Sequence, residues 1–237
     1  MATSGSSDFT ITRNDVINAA LRICRAYTIG ESAPEAEQVV NASEALNLLL
    51  KNLVVKGGLL WTMTEGELYL SKGQASYLVG PSTTSDLQIV RPTRILDARV
   101  TEGDTEIPIH IIGRNEYFDL TSKESQGRPT QLYYDRQLTD GTLYVYPTPD
   151  DSGETIKFTY ERVLEDFDAA ANNPDFPPEW FRALKWMLAA EIAIEYGIAP
   201  ERIAYIEQKA SMLERELLEF EVEPYTQMEP YPEDYDW

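Results

Sequence analysis

The chain has 237 residues, 43% of them hydrophobic, which suits one large domain or two small ones with a proper core. Its 20 Lys and Arg face 40 Asp and Glu, and the resulting net charge of −20 excludes a surface that grips nucleic acid by neutralising phosphates. The single cysteine, Cys24, excludes an intramolecular disulfide, and no apolar run approaches the ~18 residues that span a membrane.

Residues 1–10 are small and polar, an expected flexible lead-in without the basic and apolar regions of a signal peptide. Thr12-Arg13-Asn14-Asp15 has capping-box spacing and predicts a helix with Val16, Ala19, Ala20, Ile23 and Tyr27 on one face. Cys24 falls among these apolar residues and reads as a buried, inert thiol. Ser32-Ala33-Pro34-Glu35 is a second capping box with Pro34 in the first turn. The helix it opens carries Val39, Leu46, Leu50 and Leu53 on one stripe and stops at Gly57-Gly58. Two capped helices so joined make an antiparallel hairpin.

Between Leu60 and Val163 the period changes to two. Residues 67–70 and 75–79 flank Lys72-Gly73, and 94–100 and 106–112 flank Glu102-Gly103-Asp104. Residues 131–138 and 142–147 flank Asp140-Gly141, a tight-turn dipeptide, and 155–163 alternates Ile156, Phe158 and Tyr160 with polar residues. Successive hairpins predict an antiparallel meander, with one short helix over 114–120.

Residues 174–220 read as two long helices meeting at an elbow. Pro177 and Pro178 open the first, Gly197 closes it, and Pro200 opens the next. The first is apolar nearly all round: Trp180, Ala183, Met187, Ala190 and Ile194 on one side, Phe181, Leu184, Leu188 and Ile192 beside them. The second has a single seam of Ile203, Ile206, Ala210, Leu213, Leu217 and Phe220. The expected fold is α+β. An antiparallel helical bundle built from both chain ends (11–58 and 174–222) would carry an inserted antiparallel β-meander (59–165) and an extended C-terminal arm (223–237). In that arm Tyr225, Tyr231, Tyr235 and Trp237 alternate with prolines and carboxylates. Such residues anchor peptides in partner grooves, so the arm is expected to order on a partner.

Chemistry is hard to find. His110 is the only histidine, so neither a metal site nor a catalytic His pair is expected. Asp150, Asp151 and Glu154, like Glu165, Asp166 and Asp168, lack the EF-hand pattern and read as turn and cap residues. Arg91, Arg94 and Arg99 are diluted by Asp97 and Glu102 into an ordinary strand face. No nucleotide, hydrolase or zinc-protease motif is present, so no catalytic residue and no cofactor is expected.

The order of parts resembles the tail tubular protein A family, the head-to-tail adaptors (connector or gatekeeper rings) of short-tailed phages, the podoviruses. The residues that carry this are ITRNDVINAALR (11–22), RPTRILDARV (91–100), GRPTQLYYDRQLTDGTLYVYPTPDDSGETIKFTYERV (127–163) and PDFPPEWFRALKWMLAAEIAIEYG (174–197). The resemblance implies a structural virion protein at the head–tail junction, made in the host bacterial cytoplasm. It implies a ring, dodecameric in such adaptors, between the portal protein and the tail nozzle protein, through which DNA passes without specific binding. It also implies that the arm with Tyr225, Tyr231, Tyr235 and Trp237 reaches the portal or a neighbouring subunit. Within such a ring Glu207, Glu214 and Glu221 are expected to line the channel. Arg182, Lys185 and Arg215, with Lys51 and Lys56, are expected to face a neighbour's carboxylates. Two other readings remain at this stage. A receptor- or carbohydrate-binding tail module would use the 14 tyrosines as rings exposed together on the sheet. A hydrolase would need Glu161 and Asp166 to converge in a pocket.

Overall fold

The computed structural model describes residues 11–27, 33–56, 59–103, 105–169 and 175–220. Helix α1 (Arg13–Ile23) starts where its cap predicts: the Asp15 N–H donates to Thr12 Oγ1, and the Thr12 N–H donates to Asp15 Oδ2 at 2.9 Å. Helix α2 (Ala36–Lys56) starts later than expected. The Glu35 N–H is capped by Gln38 Oε1 at 3.2 Å and the Glu35 carbonyl accepts from the Val39 N–H, so Pro34 precedes the helix. Ser32, Gly57 and Gly58 lie outside the described residues.

Nine strands follow: β1 (Met63–Tyr69), β2 (Ser76–Gly80), β3 (Leu87–Gln88), β4 (Pro92–Glu102), β5 (Thr105–Pro108), β6 (His110–Ile111), β7 (Gln131–Arg136), β8 (Gly141–Tyr146) and β9 (Thr155–Arg162). Helix α3 (Arg114–Asp119) lies between β6 and β7. The strands form two sheets, β1-β9-β4-β5 and β3-β2-β8-β7-β6. This corrects the predicted helical bundle with an inserted antiparallel meander: the described residues are α+β, with five α-helices, two sheets and a β-rich core. Strand β1 pairs with β9 rather than with β2, while β2–β3 and β6–β7 run parallel.

The physical reason is cover. A sheet with one apolar face must bury it, and the two sheets bury theirs against each other. Leu68, Val100, Ile156 and Phe158 from one sheet meet Tyr77, Val79, Leu132, Leu143 and Val145 from the other in one core. The predicted strand 106–112 is divided between the sheets. Its crossing point is Ile109, buried in that core, whose N–H donates to the Ala98 carbonyl while the next N–H, of His110, donates to Thr130.

The helices form a second core. Helix α4 (Phe181–Ile192) touches α1, α2 and α5 (Pro200–Phe220), burying Trp180, Leu184, Leu188 and Ile192 against Ile17, Leu50, Ile206 and Leu213. Gly197 closes the elbow in a left-handed conformation, φ 59°, that favours glycine. The predicted stripes lose one member each: Ile194 is 71% and Phe220 76% exposed. The cores are tied where β1 begins and β9 ends. Trp61 packs on Phe176 and Trp180 at 5.4 and 5.2 Å and donates from Nε1 to the Asp175 carbonyl. Arg162 forks onto both Asp175 oxygens. Among the described residues no helix is long and apolar enough to cross a membrane.

Candidate interaction faces

The sandwich spends most of its cations on its own carboxylates. Arg99 reaches Glu65, Asp97 and Glu106, and Lys157 also takes Glu106. The hydrogen bond it donates to Glu65 raises the Arg99 guanidinium, and the one donated by Lys157 lowers the Glu106 carboxyl. Arg94 pairs with buried Glu161, Arg128 with buried Glu154, and Arg114 with Asp135. Arg91 donates to the Gln137 carbonyl. The acidic sets are similarly occupied: Asp151 accepts from the Ser152 N–H, and Asp166 pairs with Lys51 at 2.5 Å. His110 stands exposed on β6. Among the described residues no cluster of three or more His, Cys, Asp or Glu could hold a metal ion. Cys24 is buried, with its Sγ near the Ala189 carbonyl, and burial pushes its thiol up to about 11.

The helical side differs. Arg182 is exposed and Lys185 half-buried on the face of α4 that carries Trp186. Trp186 meets Tyr205 of α5 edge-on at 6.1 Å, and Lys209 follows Tyr205 by one turn. Farther along α5, Arg215 lines an open groove of about 520 Å³ with Tyr205, Met212 and Glu219. Arg182, Lys185, Lys209 and Arg215 have no ion-pair partner among the described residues. The structure therefore separates the predicted interface cations into two sets. Arg182, Lys185 and Arg215 are left over on α4 and α5, while Lys51 and Lys56 are engaged within the chain, Lys56 by Glu214.

Of the predicted channel residues, Glu207 is exposed on α5, and Glu214, two turns on, is held by Lys56 with its side chain 18% exposed. Glu221, Tyr225, Tyr231, Tyr235 and Trp237 lie outside the described residues. The tyrosines of the sheet do gather: Tyr117 of α3 stacks on Tyr133 at 5.3 Å and meets Tyr144 at a tilt at 5.0 Å. Tyr117 and Tyr133 are buried, however, so this cluster anchors α3 to the sheet and leaves Phe118 as its exposed ring. Glu161 and Asp166 are drawn to separate cations, Arg94 and Lys51.

Sequence reasoning missed a second stripe on α2. Glu37, Val40, Glu44, Leu48, Lys51 and Val55 recur at 3-4-4-3-4 spacing and are all exposed, with Val40 at 56%, Leu48 at 70% and Val55 at 80%. The signal was present as helical spacing, but the inward stripe of the same helix is richer in leucine. Compared with known proteins, residues 11–226 match the family model described as SU10 adaptor protein. No curated protein matches the chain.

Proposed function

We propose, from the premise that the chain belongs to the SU10 adaptor protein family, a family of phage head-to-tail adaptors, that it acts as a ring between the portal and the tail nozzle and conducts genomic DNA. The observation that carries the reading is the family match across residues 11–226. It agrees with the earlier resemblance to head-to-tail adaptors. The role is structural: side chains hold surfaces together, and no bond is made or broken.

In this reading residues 11–58 and 174–222 form the unit that meets the portal, and 59–165 form a β unit facing outward or toward the nozzle. The 223–237 arm anchors through Tyr225, Tyr231, Tyr235 and Trp237. Each copy brings a charge of −20 to the ring. At physiological salt such charge acts over only ~8 Å, so it does not repel DNA from afar. It keeps phosphates from pairing with a wall they must slide past. Of the three predicted channel residues, Glu207 is the one best placed for such a wall, being exposed and without an ion-pair partner among the described residues.

The test is direct. Purified full-length chain is mixed with portal rings and imaged by electron microscopy. A closed ring seated on the portal, open along its axis, is the expected result. A chain that leaves portal rings bare at every concentration overturns the proposal.

A further inference from the structure

The family implies a ring; the charges on the helical side suggest which faces close it. We infer that the outer stripe of α2 on one copy docks against the outer α4–α5 face of the next, an inference that rests on the ring reading above. Helix α2 presents two carboxylates, Glu37 and Glu44, interleaved with the exposed apolar residues Val40 and Leu48. Neither carboxylate has an ion-pair partner among the described residues. The α4–α5 face presents the reverse. Arg182 and Trp186 sit one turn apart on α4, Tyr205 and Lys209 one turn apart on α5, and the Trp186–Tyr205 contact brings the two pairs to one surface. Tyr205 is 57% and Met212 41% exposed beside these cations. Glu216 and Glu219 lie farther along α5, beyond Met212.

Two features make a second copy the occupant. In a chain with twice as many acids as bases, most cations of the sandwich, among them Arg94, Arg99, Arg114, Arg128 and Lys157, pair with its own carboxylates, yet those around Trp186 and Tyr205 have no ion-pair partner among the described residues. From Glu37 to Leu48 on α2, before Lys51 with its own partner Asp166, and from Arg182 to Lys209 around Trp186 and Tyr205, each surface pairs apolar residues at helical spacing with charge of one sign, so each complements the other and neither complements itself. A stripe with Glu37 and Glu44 brought against its own copy would set like charges together. The contact is therefore head-to-tail, the kind that closes rings.

The experiment uses full-length chain in a Cys24→Ala background, with Leu48→Cys on one sample and Met212→Cys on another. Both positions are exposed, so folding should be unchanged, as circular dichroism can verify. On oxidation the mixture should give disulfide-linked pairs, and neither sample alone should. A second arm reverses charge: Glu44→Lys and Lys209→Glu should each raise the dissociation constant of self-association about tenfold or more, and mixing the two variants should restore it. Leu48→Cys linking to itself, or no mixed link in a chain that still assembles, overturns this pair of faces and leaves the adaptor reading standing. A chain that neither assembles nor seats on portal rings overturns both.

Discussion

Tyr134 lies across Gly141, and its hydroxyl donates to the Pro92 carbonyl at 2.9 Å, with burial pushing the phenol up to about 12. A methyl group at Gly141 would overlap that ring, so glycine is needed there for space. Gly141→Ala should cost about 1–3 kcal/mol, read as a lower urea midpoint at unchanged slope. The neighbouring Asp140 accepts from the Ser82 hydroxyl and N–H and from the Ser85 hydroxyl, and the Ser82 hydrogen bond leads in holding its carboxyl below the ordinary value. A depressed carboxyl stabilises fully above its unfolded value near 3.8 and loses that contribution as pH falls through the folded value. The stability gap between the wild-type chain and Asp140→Ala should thus be constant near neutrality and shrink in acid, as denaturation across pH can measure. A hairpin turn was legible here from sequence alone, although it falls at 137–140 and Gly141 already opens β8, paired with Arg136. That Asp140 and Gly141 also hold a loop and admit a ring was not, because both partners are distant in sequence.

Helix ends were the most readable elements, since each rests on residues within a turn of one another. The Thr12–Asp15 cap and the Gly197 elbow follow from local chemistry. Strand pairing was read less well for the opposite reason. The alternation in residues 67–70 and 155–163 fixes which side chains point inward, but nothing local says that β1 lies against β9. Lys72-Gly73 looks like a hairpin turn, yet the strands on either side of it enter different sheets. The junction of the two cores also depends on a distant pair, Arg162 and Asp175, whose carboxylate accepts the Glu165 N–H as well. Asp175→Ala leaves that guanidinium, only partly exposed, without its partner. It should destabilise by about 1.5–3 kcal/mol, the usual range for hydrogen bonds to charged groups. Thermal unfolding checks this, and Asp175→Asn should recover part of the loss by keeping an acceptor.

For the whole molecule, charge was the readable quantity and its placement was not. The net −20 comes from composition, whereas which cations of α4 and α5 go without an ion pair among the described residues appears only from the folded chain. The acid excess predicts that full-length chain leaves duplex DNA unshifted in a gel at physiological salt; retention there would contradict the sliding wall. The tryptophans have a different consequence. Trp61, Trp180 and Trp186 all belong to the helical core, whereas Tyr77, Tyr134 and Tyr160 pack in the sandwich. In a Trp237→Phe variant, tryptophan emission would report one half of the protein and tyrosine near-ultraviolet dichroism chiefly the other. The triad of Trp61, Phe176 and Trp180 sits on the seam between them, so the two signals should melt together. Separate melting curves would mean that a subunit can loosen one half while keeping the other, a freedom suited to a gasket between two rigid machines.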